Sequence, residues 1–141
     1  MILISHRGNL HGAEIDEENK PEFIHSALSF GFDVEIDVWY LEKNFYLGHD
    51  SPDYLIDSNF LTNKKLWCHA KNLDALFELS KIDCTYFWHQ DDDYTLTSNN
   101  YVWTYPGKPL TKNSIAMIFG KTKIDLSSCA GICSDFIAEY K

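Results

Sequence analysis

Apolar and polar residues alternate along the chain in short blocks that predict many strands and few helices. Two segments, 21–30 and 73–80, have apolar side chains at helical spacing, with Pro21 suited to the first turn of one helix and Asn72 to the cap of the other. Residues 51–65 lack such a pattern and are predicted to be irregular, with one helical turn at most. The predicted strands are 1–5, 33–40, 44–47, 66–71, 84–88, 101–104, 115–119 and 130–134.

One predicted strand carries Glu35 and Asp37 among apolar neighbours. Because alternate residues of a strand face the same side, both carboxylates point one way while the flanking Val and Ile side chains point the other. Two adjacent carboxylates repel each other when they lose water unless a positive group lies between them, and a divalent metal ion is the usual one. The alternative is a half-exposed edge strand whose polar face lies in water.

Composition and charge limit the classes of protein and partner. With 141 residues, 45% of them hydrophobic, the chain fits one globular domain spanning 1–141. A net charge of −9, with no basic cluster longer than Lys64–Lys65, argues against a nucleic acid or an anionic membrane surface as partner. No apolar run approaches the roughly 18 residues of a membrane helix. We recognise no secretion signal, so we expect a cytoplasmic protein with reduced cysteines.

Several predicted strands end in His, Asp, Glu or Lys, which indicates a fold class. In parallel α/β sheets and barrels, functional side chains gather at the carboxyl ends of the strands. A full (β/α)₈ barrel needs about 250 residues. The shorter chain therefore predicts an α/β fold, a shortened and incomplete barrel of the TIM type with reduced outer helices. Strand faces without helices would expose apolar surface, and homodimerisation is one way to cover it.

Four short motifs occur in order within residues 4–50. They are Ser5-His6-Arg7-Gly8 at the end of the first strand, Glu18-Asn19 before the first helix, Glu35-Ile36-Asp37 in the second strand and His49-Asp50 shortly afterwards. This ordered set resembles the glycerophosphodiester phosphodiesterase family, whose barrel is shared with the phosphatidylinositol-specific phospholipases C. Later segments match the family's strands more loosely: 66–71, which contains Lys71, 101–104, which contains Trp103, and 131–135.

The resemblance implies a metal-dependent phosphodiesterase, and the chemistry of the residues agrees with it. Cleaving a phosphodiester needs neutralised phosphate charge, a base for the nucleophile and an acid for the leaving group. Histidine titrates near neutrality, so His6 and His49 are the predicted acid–base pair. The carboxylates of Glu35 and Asp37 suit Mg²⁺ or Ca²⁺. The predicted contacts to the small-molecule substrate and its phosphate are Arg7, Lys71 and Trp103.

One position departs from the family's pattern. Where a third carboxylate ligand is usual, this chain has His69, a neutral and softer ligand. The site then favours Mn²⁺ or Zn²⁺ more than a carboxylate site does, or Glu18 supplies the third carboxylate from its loop. The predicted function is hydrolysis of a small glycerol-, sugar- or nucleotide-linked phosphodiester. Two alternatives stay open: a lyase that stops at a cyclic phosphate, and a catalytically decayed module that binds a phosphorylated ligand or protein partner.

Overall fold

Strands dominate the protein. The computed structural model describes residues 1–122 and 125–141. The strands within them are β1 (Ile2–His6), β2 (Asp33–Leu41), β3 (Asn44–Leu47), β4 (Tyr54–Ile56), β5 (Leu66–Ala70), β6 (Thr85–Phe87), β7 (Tyr94–Leu96), β8 (Val102–Thr104), β9 (Ser114–Ile118) and β10 (Gly131–Ser134). The helices are α1 (Pro21–Ser29) and α2 (Leu73–Leu79), with 3₁₀ turns at Phe60–Thr62, Leu126–Ser128 and Ile137–Tyr140. None of the described helices is both long enough and apolar enough to cross a membrane.

The strands form one curled, mixed sheet. Neighbours from β6 through β5, β2, β1, β10 and β9 to β8 run parallel. The β3–β4 hairpin continues β2 in antiparallel fashion, and β7 pairs antiparallel with β8. The first and last strands of the chain are therefore neighbours at the centre of the sheet, with β2 on the other side of β1.

The predicted α/β barrel of the TIM type is wrong, because the described chain is a β-rich fold with only two short helices. Helices α1 and α2 follow β1 and β5 and pack against β2. Farther along the chain, the connections 88–93 and 105–113 contain Asp, Pro, Gly and Lys rather than apolar residues at helical spacing. Short antiparallel strands and 3₁₀ turns take the place of helices there, and the sheet curls into half a barrel.

Side-chain alternation along the central strands gives the sheet an apolar outer face. Helix α1 contributes Ile24 and Ala27 to this outer core, and α2 contributes Ala75 and Leu79. The outward-facing side chains of β2 that complete it are Val34, Ile36 and Val38. Because strand side chains alternate, Glu35 and Asp37 must face the inside of the curl.

The inner face is apolar in its lower part and polar at the carboxyl ends of the strands. Residues of several strands form the apolar part, among them Ile4, Trp67, Phe87, Ile115 and Cys133. Above them, the parallel registers place His6 beside Glu35, and Asp37 beside His69. The sheet thereby brings four polar side chains from three adjacent strands to one end of an apolar interior.

Candidate active site

Most of the side chains predicted to carry chemistry surround one cavity of about 340 Å³. Those that line it are His6, Arg7, Glu35, His49, His69, Lys71 and Trp103. Asp37 lies immediately behind them and is completely buried. Glu18 lines an adjoining cavity that shares His6, Arg7 and His49 with the first. The structure thus brings all nine predicted residues to one end of the sheet.

Asp37 is the most densely contacted group of the site. Its Oδ2 lies 2.9 Å from Nε of Arg7, an ion pair without hydrogen-bond alignment, and its Oδ1 lies 3.6 Å from Nζ of Lys71. Burial by itself would raise the pKa of Asp37, but contacts with His69, Arg7 and Lys71 hold that pKa well below its usual range. Asp37 is therefore ionised and anchors the positive groups around it.

Asn19 fixes the position of Asp37. The Asn19 side chain donates from Nδ2 to Oδ2 of Asp37 (2.8 Å) and accepts from the Asp37 backbone N–H (2.9 Å). Asn19 is fully buried and has a positive φ of 63°, which asparagine tolerates better than most residues. Asn19 does not cap the following helix, because Lys20 occupies the N-cap position of α1. The Glu-Asn motif thus places an amide against a site carboxylate.

Two fully buried oxygens of the site's carboxylates accept no aligned hydrogen bond within the described residues. They are Oε2 of Glu35, whose residue is 2% exposed, and Oδ1 of Asp37. A buried charged oxygen without a donor costs free energy, so native proteins rarely leave one unless an ion or ligand satisfies it. These oxygens are the strongest indication that the site receives a positive ligand.

His69 lies between the two carboxylates. Its Nδ1 is 3.2 Å from Oδ1 of Asp37 and 3.7 Å from Oε1 of Glu35, while its Nε2 donates to the carbonyl oxygen of His89 at 2.9 Å. Burial would lower the pKa of His69, but the contacts with Asp37 and Glu35 outweigh it and raise that pKa to about 9. The imidazole can therefore act as a cation between the carboxylates or, after losing its Nδ1 proton, as a metal ligand.

Glu35, Asp37 and His69 fit a divalent metal ion. One ligand atom from each lies within 4.8 Å of the others, and theirs is the only such group among the described residues. Carboxylate oxygens and an imidazole nitrogen are donor types that divalent ions accept. Glu18 lies outside this group, because its carboxylate accepts from Nη1 of Arg7 at 3.1 Å and from Nδ2 of Asn9 at 2.8 Å.

His6 is held by a carboxylate that sequence reasoning missed. Its Nδ1 lies 2.8 Å from Oδ1 of Asp135, which follows β10 and also accepts from Nδ2 of Asn9 at 2.8 Å. A carboxylate partner fixes the proton on Nδ1, so Nε2 is free toward the cavity, 3.8 Å from Oε2 of Glu35. The strand-end position of Asp135 was a usable signal, whereas nothing local marks Asn9.

His49 lies at the rim. Its side chain is 43% exposed and its Nδ1 lies 2.9 Å from Oδ1 of Asp50, which is itself 92% exposed. The preceding Gly48 has a φ of 151°, and a Cβ there would overlap the carbonyl oxygen of Ser51. Trp39 donates from its indole N–H to the Gly48 carbonyl at 2.7 Å. The turn is thus fixed by packing, while the imidazole itself is open to solvent.

Stacked rings extend from His69 along one wall of the cavity. The ring of His69 stacks on Phe87 at 5.2 Å, and Phe87 stacks on Trp103 at 4.6 Å. Tyr105 and Phe119 continue this apolar wall toward the mouth of the cavity. The site therefore has a charged half and an apolar half. The charged half suits an anion together with a bound cation, and the apolar half suits the organic part of a small molecule.

No family model, curated protein or solved structure matches this chain.

Proposed function

We propose that this protein is a metal-dependent phosphodiesterase acting on a small glycerol-, sugar- or nucleotide-linked phosphodiester. The observation that carries the proposal is a pair of buried carboxylates, each with an oxygen that accepts no aligned hydrogen bond. The cavity beside them is also lined by the predicted acid–base pair, His6 and His49, and by two fixed cations. An anion alone would not relieve these oxygens, and a cation alone would not use Arg7 and Lys71. A metal ion together with a phosphate ester accounts for both.

Glu35, Asp37 and His69 would hold the ion. When bound, a divalent ion neutralises charge on the phosphodiester and makes phosphorus easier to attack. Arg7 is anchored by Asp37 and Glu18 and offers its guanidinium from a fixed position. Lys71 adds a second positive charge from the end of β5. These cations orient the phosphate before reaction. Such positioning and charge stabilisation account for most of the catalysis of phosphoryl transfer.

The two histidines would move the protons. As the attacking oxygen forms its bond to phosphorus, Nε2 of His6 takes that oxygen's proton, and the Asp135 carboxylate stabilises the resulting imidazolium. As the bond from phosphorus to the leaving oxygen breaks, His49 donates a proton to that oxygen. The exposure of His49 lets it regain a proton from water. The attacking oxygen belongs to water in a hydrolase, or to a neighbouring substrate hydroxyl in a cyclising lyase.

A phosphodiester panel tests the proposal. Glycerophosphodiesters and nucleotide-diphospho-alcohols are incubated with the protein in Mg²⁺, Ca²⁺, Mn²⁺, Zn²⁺ or a chelator, and phosphorus NMR follows the products. We expect turnover that the chelator abolishes and metal restores, with a monoester as the final product. A cyclic ester that persists identifies the lyase. The absence of turnover with every metal, or turnover that the chelator leaves intact, contradicts the proposal.

One observation favours a second candidate, a module that binds a phosphorylated ligand without cleaving it. His69 already lies between both carboxylates, where as a cation it would supply the positive charge that an ion supplies. In that case the protein binds inorganic phosphate or glycerol phosphate through Arg7 and Lys71 without metal. Calorimetric titration with these anions in chelator, together with the lack of metal binding at millimolar concentration, would favour the module over the enzyme.

A further inference from the structure

We propose that Nδ1 of His69 is a metal ligand and that this imidazole, rather than the two carboxylates, sets the ion preference toward Mn²⁺ and Zn²⁺ and away from Mg²⁺ and Ca²⁺. The inference deepens the proposed function and rests on it for the identity of the site. It reverses the preference for Mg²⁺ or Ca²⁺ that the carboxylate pair alone would predict.

The ring of His69 is fixed in the orientation that a ligand needs. Its Nε2 donates to the His89 carbonyl, and its face stacks on Phe87 with an interplanar angle of 5°. A histidine that ligates a metal commonly donates its other ring N–H to a carbonyl or carboxylate, because this contact fixes the tautomer with the lone pair toward the ion. Nδ1 is therefore the atom presented to Glu35 and Asp37.

The spacing of the three donors suits an ion. Two ligand atoms about 2.1 Å from a common ion lie about 3.0 Å apart at a right angle and about 3.4 Å apart at a tetrahedral angle. Nδ1 lies 3.2 Å from Oδ1 of Asp37 and 3.7 Å from Oε1 of Glu35. One ligand atom from each of the three side chains lies within 4.8 Å of the others, so the three side chains are close enough to hold one ion.

The charge around the donors disfavours hard cations. Affinity for Ca²⁺ and Mg²⁺ depends on the number of charged oxygen ligands and on freedom from competing cations. Here Nε of Arg7 and Nζ of Lys71 lie 2.9 Å and 3.6 Å from the Asp37 carboxylate, so both side chains compete with an ion for its charge. A neutral imidazole adds no charge to attract Mg²⁺, but it adds a donor that transition-metal ions bind well. The net attraction for Mg²⁺ and Ca²⁺ is small, and the preference depends on His69.

Calorimetric titration with MgCl₂, CaCl₂, MnCl₂ and ZnCl₂ tests the inference on the wild type and three variants. His69→Gln removes the lone pair without adding charge. His69→Glu adds a third carboxylate. His25→Glu makes the same charge change at an exposed position of α1, where the ring packs edge-on against Phe60, and is the matched control. Circular dichroism verifies that each variant is folded, and His69→Gln keeps the test informative if His69→Glu unfolds.

We expect the wild type to bind Mn²⁺ and Zn²⁺ far more tightly than Mg²⁺ and Ca²⁺. His69→Gln should weaken Mn²⁺ and Zn²⁺ by about 10- to 100-fold. His69→Glu should strengthen Mg²⁺ and Ca²⁺ by about tenfold, and His25→Glu should match the wild type. Because Cys84 and Cys129 are partly exposed, Co²⁺ absorption serves as a second readout. Cobalt bands without thiolate charge transfer support the histidine site, and thiolate bands at the first equivalent contradict it.

The outcomes separate this inference from the proposed function. Equal affinity of the wild type for Mg²⁺ and Mn²⁺, unchanged affinities in His69→Gln, or no binding of any ion at millimolar concentration would each overturn it. Turnover supported by Mg²⁺ in both the wild type and His69→Gln leaves the phosphodiesterase standing and overturns the ligand assignment. If the wild type shows the expected order of ion affinities but turns over no phosphodiester, the ligand assignment stands and the proposed phosphodiesterase activity is overturned.

Discussion

The deep part of the cavity and its rim are built in different ways. In the deep part, Asp37 is fully buried, and Asn19, Arg7 and Lys71 surround it. At the rim, His49 and Asp50 are exposed, and among the described residues each forms an ion pair only with the other. The same kinds of group should therefore act differently. Replacing a deep group should change both stability and activity, whereas replacing a rim group should change activity with little effect on stability.

The largest expected effect is that of Asp37→Asn, which tests whether the deep network supports the fold. In Asp37→Asn the charges of Arg7 and Lys71 lose their buried partner, and removing one member of a buried ion pair costs about 3 to 5 kcal/mol. We expect that loss in the free energy of unfolding, measured by urea denaturation of metal-free protein. Asp50→Asn, the same change at the rim, should stay within about 0.5 kcal/mol. Equal effects of the two substitutions would mean that the deep and rim groups do not differ.

His49→Ala tests whether a rim residue affects turnover without affecting stability. Removing one histidine of a proton-transfer pair reduces turnover by about 10²–10⁴-fold, while the loss of an exposed side chain leaves the unfolding free energy within about 0.5 kcal/mol. Steady-state kinetics and urea denaturation measure the two quantities, and His25→Ala is the matched exposed-histidine control. Near-unchanged turnover in a folded His49→Ala protein would sink the assignment of His49 as the acid.

Asp135 connects the deep network to His6, and its replacement should give an intermediate effect. In Asp135→Asn the amide no longer stabilises a positive imidazole, so we expect turnover to fall by about 10- to 100-fold with little change in KM. Retention of full turnover with an unchanged pH–rate profile would show that Asp135 does not position His6.

The same variant has a predicted signature in stability against pH. Burial would raise the pKa of Asp135, but hydrogen bonds from His6 and Asn9 and the charge of Arg7 lower it overall. A carboxyl group whose pKa is lower in the folded state contributes stability at pH values above its unfolded pKa of about 3.9. That contribution is lost as the pH falls through the folded-state pKa. Wild-type protein should therefore lose more stability on acidification than Asp135→Asn. Identical acid limbs in denaturation curves would contradict this.

Glu35→Gln should have a much smaller effect on stability than Asp37→Asn and the clearest effect on metal response. Glu35 is buried, yet its contacts with His6 and His69 are long, at 3.8 and 3.7 Å, so removing its charge should change metal-free stability by no more than about 1 kcal/mol. Ligand binding stabilises a protein by about 2.7 kcal/mol at 100 times the Kd. We expect Mn²⁺ to stabilise the wild type in this way and Glu35→Gln much less. An equal Mn²⁺ response would remove Glu35 from the ligand set.

Local sequence patterns anticipated the parts of the site that lie within single strands. The alternation around Glu35 and Asp37 correctly predicts a shared face, and β2 does turn both carboxylates inward. The helices predicted at 21–30 and 73–80 each end one residue earlier, as α1 and α2. These features depend on side-chain periodicity and capping, which neighbouring residues encode.

Features that depend on distant pairing were not predictable in the same way. The contact of Asn9 with Asp135 spans 126 positions and exists because β1 and β10 are neighbours. The short strands β4 and β7 form only by pairing with β3 and β8. The barrel prediction was wrong for a related reason: strand-end chemistry indicates parallel strands but says nothing about what covers their outer face.

The column of stacked rings from His69 through Phe87 to Trp103 has an optical consequence. Any event that rotates the imidazole must shift Phe87, and with it the indole of Trp103. The ring centroids of Trp103 and Trp67 lie 6.1 Å apart, a separation at which the electronic transitions of two indoles couple. The near-ultraviolet circular dichroism of the unlabelled protein would thus report the occupancy of the site, because the protein has its own chromophore beside it.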